Sequence, residues 1–170
     1  MIQLPDQQPC EICEGFAGRD PGWAVIDEGE HTATVINPYQ FETGQCCVVT
    51  KRHVPTLLDL NTEEAEEIIG AAKRVAIALV GTYQPLGVLT FQNNGVYSGQ
   101  EVPHYHFHVV PRQPGSDWGI GPPQLATFDG VGRQRGVTHD PSGDEERRQR
   151  VRVSPELLHD TAKAIRKNLP

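Results

Sequence analysis

Apolar positions along this 170-residue chain fall into short runs divided by turn signals, with one long helical exception. Trp23 to Asp27 and Thr32 to Ile36 are β-rich runs around Glu28-Gly29-Glu30, which predicts a hairpin. Asn37-Pro38 closes the second run. Gln45 to Thr50 predicts a third strand between Gly44 and Lys51-Arg52-His53, with Cys46 and Cys47 as small apolar members. Ala65, Ile68, Ile69, Ala72, Val75, Ala76, Leu79 and Val80 recur at helical spacing. They predict one helix over about Thr62 to Thr82 with a single buried stripe, capped by Asn61 and begun by Glu63 and Glu64. Pro85 ends it. Gly87 to Gln92 and His104 to Val110 are further predicted strands, with a turn at Asn93-Asn94-Gly95. Pro5 to Pro21 reads as a loop, and residues 113–150 show no periodicity. A last helix opens on Ser154 and Pro155 and covers about 154–168. The whole predicts one α+β domain with an antiparallel sheet of about five strands, one long central helix and a C-terminal helix.

Composition narrows the classes. The longest uninterrupted apolar run is Val75 to Val80, too short to span a bilayer. The first residues have neither the basic start nor the apolar stretch of a signal peptide, so a cytoplasmic protein with free or metal-bound thiols is the expectation. A net charge of −7 argues against a broad nucleic-acid surface. The charge is uneven: residues 112–152 carry seven Arg and six acids, a net of +1, which leaves −8 for the rest. That segment is either a solvated surface stretch or one reserved for an anion, with Arg112 and its neighbours as candidates for steering a phosphate.

The chemistry concentrates in His104-Tyr105-His106-Phe107-His108-Val109-Val110. Strand alternation puts the three histidines on one face and Tyr105, Phe107 and Val109 on the other. Histidines two apart on a strand can share one metal, as in strand-borne hydrolase sites. Alternatively, one neutral imidazole attacks phosphorus while its neighbours orient it and stabilise charge. The amides and glycines upstream, Asn93 to Gln100, allow close backbone approach to phosphate oxygens. Glu101 is the only carboxylate at hand for a metal, so phosphate chemistry is favoured.

A Gly-Gln pair, alternating histidines and then Pro111-Arg112 resembles the histidine-triad (HIT) superfamily of nucleotide hydrolases and transferases. The likeness runs over about Cys10 to Arg112 and includes Asn37-Pro38, Gly44 and Lys51-Arg52-His53. It implies a single HIT-like domain over 1–170 with its core at about 10–112, and a homodimer. It implies a purine nucleotide substrate of the dinucleoside polyphosphate or AMP-X type, attacked at the α-phosphorus by His106 to give a nucleotidyl-histidine. His108 would contact the phosphate and assist the leaving group, and the backbone around His104 would orient the nucleophile. Asn37 matches the position that holds the ribose, and Asn93, Gly99 and Gln100 match the phosphate-side loop. Glu101 departs from the usual Ser or Thr, where a carboxylate would repel a polyphosphate or act as an acid. Gln45 replaces a His common after Gly44. A nucleotide-binding regulatory module with little turnover, and a metal-dependent hydrolase using the histidine row, are the rival readings.

Cys10-x-x-Cys13 can be redox-active, incidental or half of a zinc site. A redox pair normally opens a helix after a strand, whereas this one lies among Pro and Gly residues. His53 and His104 are the candidates for the other two ligands of a structural Cys₂His₂ zinc, as in the zinc-binding branch that the chain resembles. His31, His139 and His159 are assigned to the surface, and Trp118 to stacking or packing.

Overall fold

The computed structural model describes residues 2–114 and 152–170. Its strands are β1 (Val25–Glu28), β2 (Thr32–Ile36), β3 (Cys46–Thr50), β4 (Gly87–Phe91) and β5 (His106–Arg112). They form one antiparallel sheet in the order β1-β2-β3-β5-β4, so β5 is flanked on both sides and β4 is an edge. The helices are α1 (Glu11–Phe16), α2 (Thr62–Tyr83) and α3 (Pro155–Arg166). The α+β architecture expected from the sequence is the one present. Trp118, His139 and the arginines at 133–150 lie outside the described residues.

The two faces of the sheet serve different ends. Ile36, Cys46, Val48, Phe107 and Val109 pack against Ile68, Val75 and Leu79 of α2 and Leu158, Ala162 and Ile165 of α3. On the other face Ala33, Val35, Cys47 and Val49 pack with Cys10 and Ile12 of the N-terminal segment. Asn61 caps α2 through a capping box with Glu64. Glu64 is buried and also binds Arg52 at 2.8 Å, which ties the end of β3 to the start of α2.

Several boundaries differ from the sequence reading, each for a physical reason. The Cys10–Cys13 stretch is a short helix rather than a loop, because Ile12 buries against the sheet and Phe16 meets Trp23 edge-on at 4.9 Å. Trp23 therefore anchors α1 and β1 starts later. β5 starts at His106 rather than His104, since Tyr105 N–H donates to Val54 O at the strand's entry. It also runs on through Pro111, where β5 is paired with β4 alone, since β3 pairs β5 only as far as Val109. The apolar stripe of α2 is not uniformly buried. Ile69, Ile77 and Val80 are 60%, 47% and 49% exposed and form a second, outward stripe.

Candidate active site and metal centre

His106 and His108 share one face of β5, with Cys47 opposite His108 and Val49 opposite His106 on β3. Their rings stand nearly perpendicular with centroids 4.9 Å apart. His106 is partly exposed, and its Nδ1–H donates to the carbonyl of His104 at 2.7 Å. That bond leaves the lone pair on Nε2. Burial lowers the pKa of His106 despite the opposing pull of this hydrogen bond, which favours the neutral ring. His108 is 8% exposed, and burial followed by the proximity of His106 holds its pKa well below the ordinary value. Its ring stacks on Phe91 at 4.3 Å. Its Nδ1 lies 3.2 Å from Gln45 Nε2 and 3.2 Å from Cys47 Sγ.

His104 does something else. It sits just before β5, fully buried, and its ring turns to the N-terminal segment. Its Nδ1 lies 3.5 Å from Cys10 Sγ and 3.6 Å from Cys13 Sγ, while His53 Nδ1 lies 3.3 Å from Cys13 Sγ. All four donor atoms fall within 4.8 Å of one another. Zn–S and Zn–N bonds of ~2.3 and ~2.05 Å at a tetrahedral angle place S and N about 3.6 Å apart, so the donor set fits such an ion. The tautomer fits as well: His104 Nε2–H donates to Thr50 O at 2.8 Å, which turns the Nδ1 lone pair to the cluster. Burial pushes His104 down to about 4, so it stays neutral, the form a metal binds. Burial and the neighbouring Cys10 thiol push Cys13 up to about 11; a bound cation would reverse that by favouring thiolates.

The loop over residues 93–100 is braced from within. Gly95 and Gly99 have φ of +88° and +87°, a region that side chains other than glycine rarely adopt. Gln100 is buried, with Oε1 accepting from Gly95 N and Nε2 donating to Pro55 O and Val102 O. Its side chain thus shapes the loop, and Tyr97, Ser98, Gly99 and Glu101 are exposed. Asn93 Nδ2 donates to Gly99 O, and Val96 N to Gln3 O of the N-terminal segment. Asn37 follows β2, where its Oδ1 accepts from Tyr39 N and its backbone N–H donates to Gln45 O.

Two assignments change. Arg112 does not present its charge to a phosphate: it lies 3.4 Å from Glu42 and over the Phe41 ring, and is 13% exposed. Cys47 and Phe91 join the site through strand register alone, and Gln45, notable in the sequence as the replacement of a common His, meets His108 beside them.

A five-stranded antiparallel sheet backed by a long helix, with a Gly-Gln loop feeding histidines onto an inner strand, defines the histidine-triad class of α+β proteins. Residues 25–115 match the family model described as HIT domain, and the chain belongs to that family. Among relatives, the Saccharomyces cerevisiae adenosine 5′-monophosphoramidase HNT1 is 31% identical over 127 residues, 73% of this chain and 77% of its own. A Hit-like protein involved in cell-cycle regulation from Bartonella henselae shares the fold with a TM-score of 0.73 at 22% identity, covering 98% of this chain and 100% of that one. A zinc-bound histidine triad family protein from Mycobacterium smegmatis does so with a TM-score of 0.60 at 22% identity, covering 94% and 96%. Family members of this kind include nucleotide hydrolases.

Proposed function

We propose that this protein is a nucleotide hydrolase or nucleotidyl transferase that cleaves a nucleoside phosphoanhydride or phosphoramidate at the α-phosphorus through His106. The observation that carries the reading is the Nδ1–H of His106 donated to the His104 carbonyl, which aims a neutral Nε2 lone pair out of a partly exposed site. Attack forms a P–N bond as the bond to the leaving group breaks, and the His104 carbonyl stabilises the positive charge that the ring acquires. Water then cleaves the P–N bond and returns the electron pair to His106. Asn37 would hold the ribose of a purine nucleotide. Gly99 and Asn93, with Gln100 as brace and Glu101 at the rim, would face the phosphates. The yeast relative's AMP-phosphoramidase name agrees with an AMP-X substrate.

Cys10, Cys13, His53 and His104 are proposed to hold a structural zinc, as their donor spacing and the zinc-bound mycobacterial neighbour support. The metal would neutralise the thiolates and fix the N-terminal segment to the entry of β5. Its ligand set takes one residue of the histidine row and neither of the other two, which weighs against a metal-dependent hydrolase built on that row. The long outward stripe of α2 and the edge strand β4 support a homodimer.

The test is a hydrolysis panel of dinucleoside polyphosphates, AMP-phosphoramidates and adenylylated lysine, combined with acid-quench trapping of an adduct on His106. Turnover with a trapped adduct, insensitive to brief chelation, is expected. Binding of AMP with no turnover of any member would favour a regulatory module instead.

A further inference from the structure

Gln45 is 2% exposed and ends against His108 without belonging to the nucleotide-binding set above. We propose that Gln45 fixes the proton of His108 on Nε2 and so makes the site selective for leaving groups that depart as anions. This rests on the reading of His106 as the nucleophile.

The backbone fixes the orientation of the Gln45 amide. Gln45 Oε1 accepts from Phe41 N at 3.2 Å, which leaves Nε2 as the end facing His108 Nδ1 at 3.2 Å. An NH₂ group only donates, so Nδ1 must present its lone pair and the neutral ring carries its proton on Nε2. An imidazolium would set two donors against each other. The thiol of Cys47 lies 3.2 Å from the same Nδ1 and can donate to its lone pair as well. Stacking on Phe91, with planes 17° apart, holds the ring against rotation. The depressed pKa of His108, from burial and from His106, works in the same direction.

The consequence falls on the leaving group. When the His106 Nε2 pair bonds to phosphorus in a phosphoanhydride, the bridging P–O bond breaks and its pair stays on the departing phosphate. That anion is stable, and a hydrogen bond from His108 Nε2–H suffices while His108 keeps its proton. In a phosphoramidate the P–N bond pair stays on nitrogen, which must gain a proton to leave as an amine. Neutral His108 would become an imidazolate by giving one, and the imidazolium that could give one is opposed by Gln45. A nucleoside phosphoanhydride is therefore the preferred class.

Long-range ¹H–¹⁵N correlation on the labelled full chain reads the tautomer directly. An unprotonated Nδ1 on His108 is expected; a protonated one overturns the proposal. Gln45→Leu, which removes the donor, should mix the tautomers. Gln45→His supplies a side chain that can accept as well as donate. It should raise the ratio of phosphoramidate to diadenosine polyphosphate kcat/KM by roughly tenfold or more, a part of what general acid catalysis contributes. An unchanged ratio in folded Gln45→His overturns the selectivity. If the wild type cleaves neither substrate, the nucleophile reading fails by itself, and the tautomer measurement still decides the role of Gln45.

Discussion

His104 and His106 are joined through a single carbonyl: His106 Nδ1 lies 2.7 Å from His104 O, while the ring of the same His104 sits 3.5 Å from Cys10 Sγ. The residue that would hold the metal is thus the residue that sets the tautomer of His106, the proposed nucleophile. Cys10→Ser is expected to lose stoichiometric zinc from protein purified without added metal. Loss of ~3 kcal/mol of metal-linked stability corresponds to about 6–12 °C in Tm for a chain of this size. Because the nucleophile loses its support, kcat should fall more than KM rises. Metal analysis and thermal scans of both proteins check this, and a metal-free wild type rejects the zinc site.

His106→Ala should abolish hydrolysis while AMP binding stays measurable, because the ring supplies the attacking atom and not the nucleotide pocket. Removing a covalent nucleophile costs on the order of 10⁴-fold or more in kcat. Full turnover in this variant would end the proposed mechanism.

The sheet and the long helix were legible because their patterns are local. The apolar period of α2, its Asn61–Glu64 capping box and the Ser154 cap of α3 each lie within one turn of chain. The Cys₂His₂ set was legible from residue chemistry and family likeness together, although its members sit as far apart as Cys10 and His104. What stayed hidden depends on register. Cys47 faces His108, and Phe91 stacks on it, only because β5 pairs with β3 and β4 as it does. Alternation alone also treated His104 as a strand residue, whereas its ring is pulled to the N-terminal cysteines.

Glu101→Ser should raise kcat/KM for a dinucleoside polyphosphate, since a carboxylate at the exposed rim of the proposed phosphate-side loop would oppose an approaching polyanion. A gain of about 3- to 30-fold is expected, shrinking as salt is raised. Steady-state kinetics at two ionic strengths measure it. A loss of activity would instead assign Glu101 a part as an acid or a substrate contact.

Acid should destabilise the fold in two stages. His108 has a folded pKa well below its ordinary 6.5, so below pH 6.5 the unfolded chain binds a proton that the folded chain refuses. Its stability contribution is complete above 6.5 and declines as pH falls, by up to about 1.4 kcal/mol per pH unit. Glu64 is held below its ordinary 4.5 mainly by the Arg52 guanidinium, so its contribution is present above 4.5 and is lost below it. Urea denaturation between pH 4 and 8 should show His108→Gln losing up to one proton of slope below about pH 6.5. An identical slope in both proteins would refute the assignment.

The outward stripe of α2 gives the last test. Ile69, Ile77 and Val80 repeat on one helical face at 60%, 47% and 49% exposure, and β4 is a sheet edge with Val88 37% exposed. Outward apolar residues repeated on one helix face, together with the open edge of β4, suit self-association through the same surface on two copies. Light scattering coupled to gel filtration should give twice the chain mass for the wild type. Ile77→Glu buries a charge in that interface and should give monomers with an unchanged circular dichroism spectrum, since Ile77 lies outside the buried cluster that packs α2 on the sheet. A wild type that runs as a monomer would remove the dimer. A dimer that survives Ile77→Glu together with Val80→Glu would place its interface elsewhere.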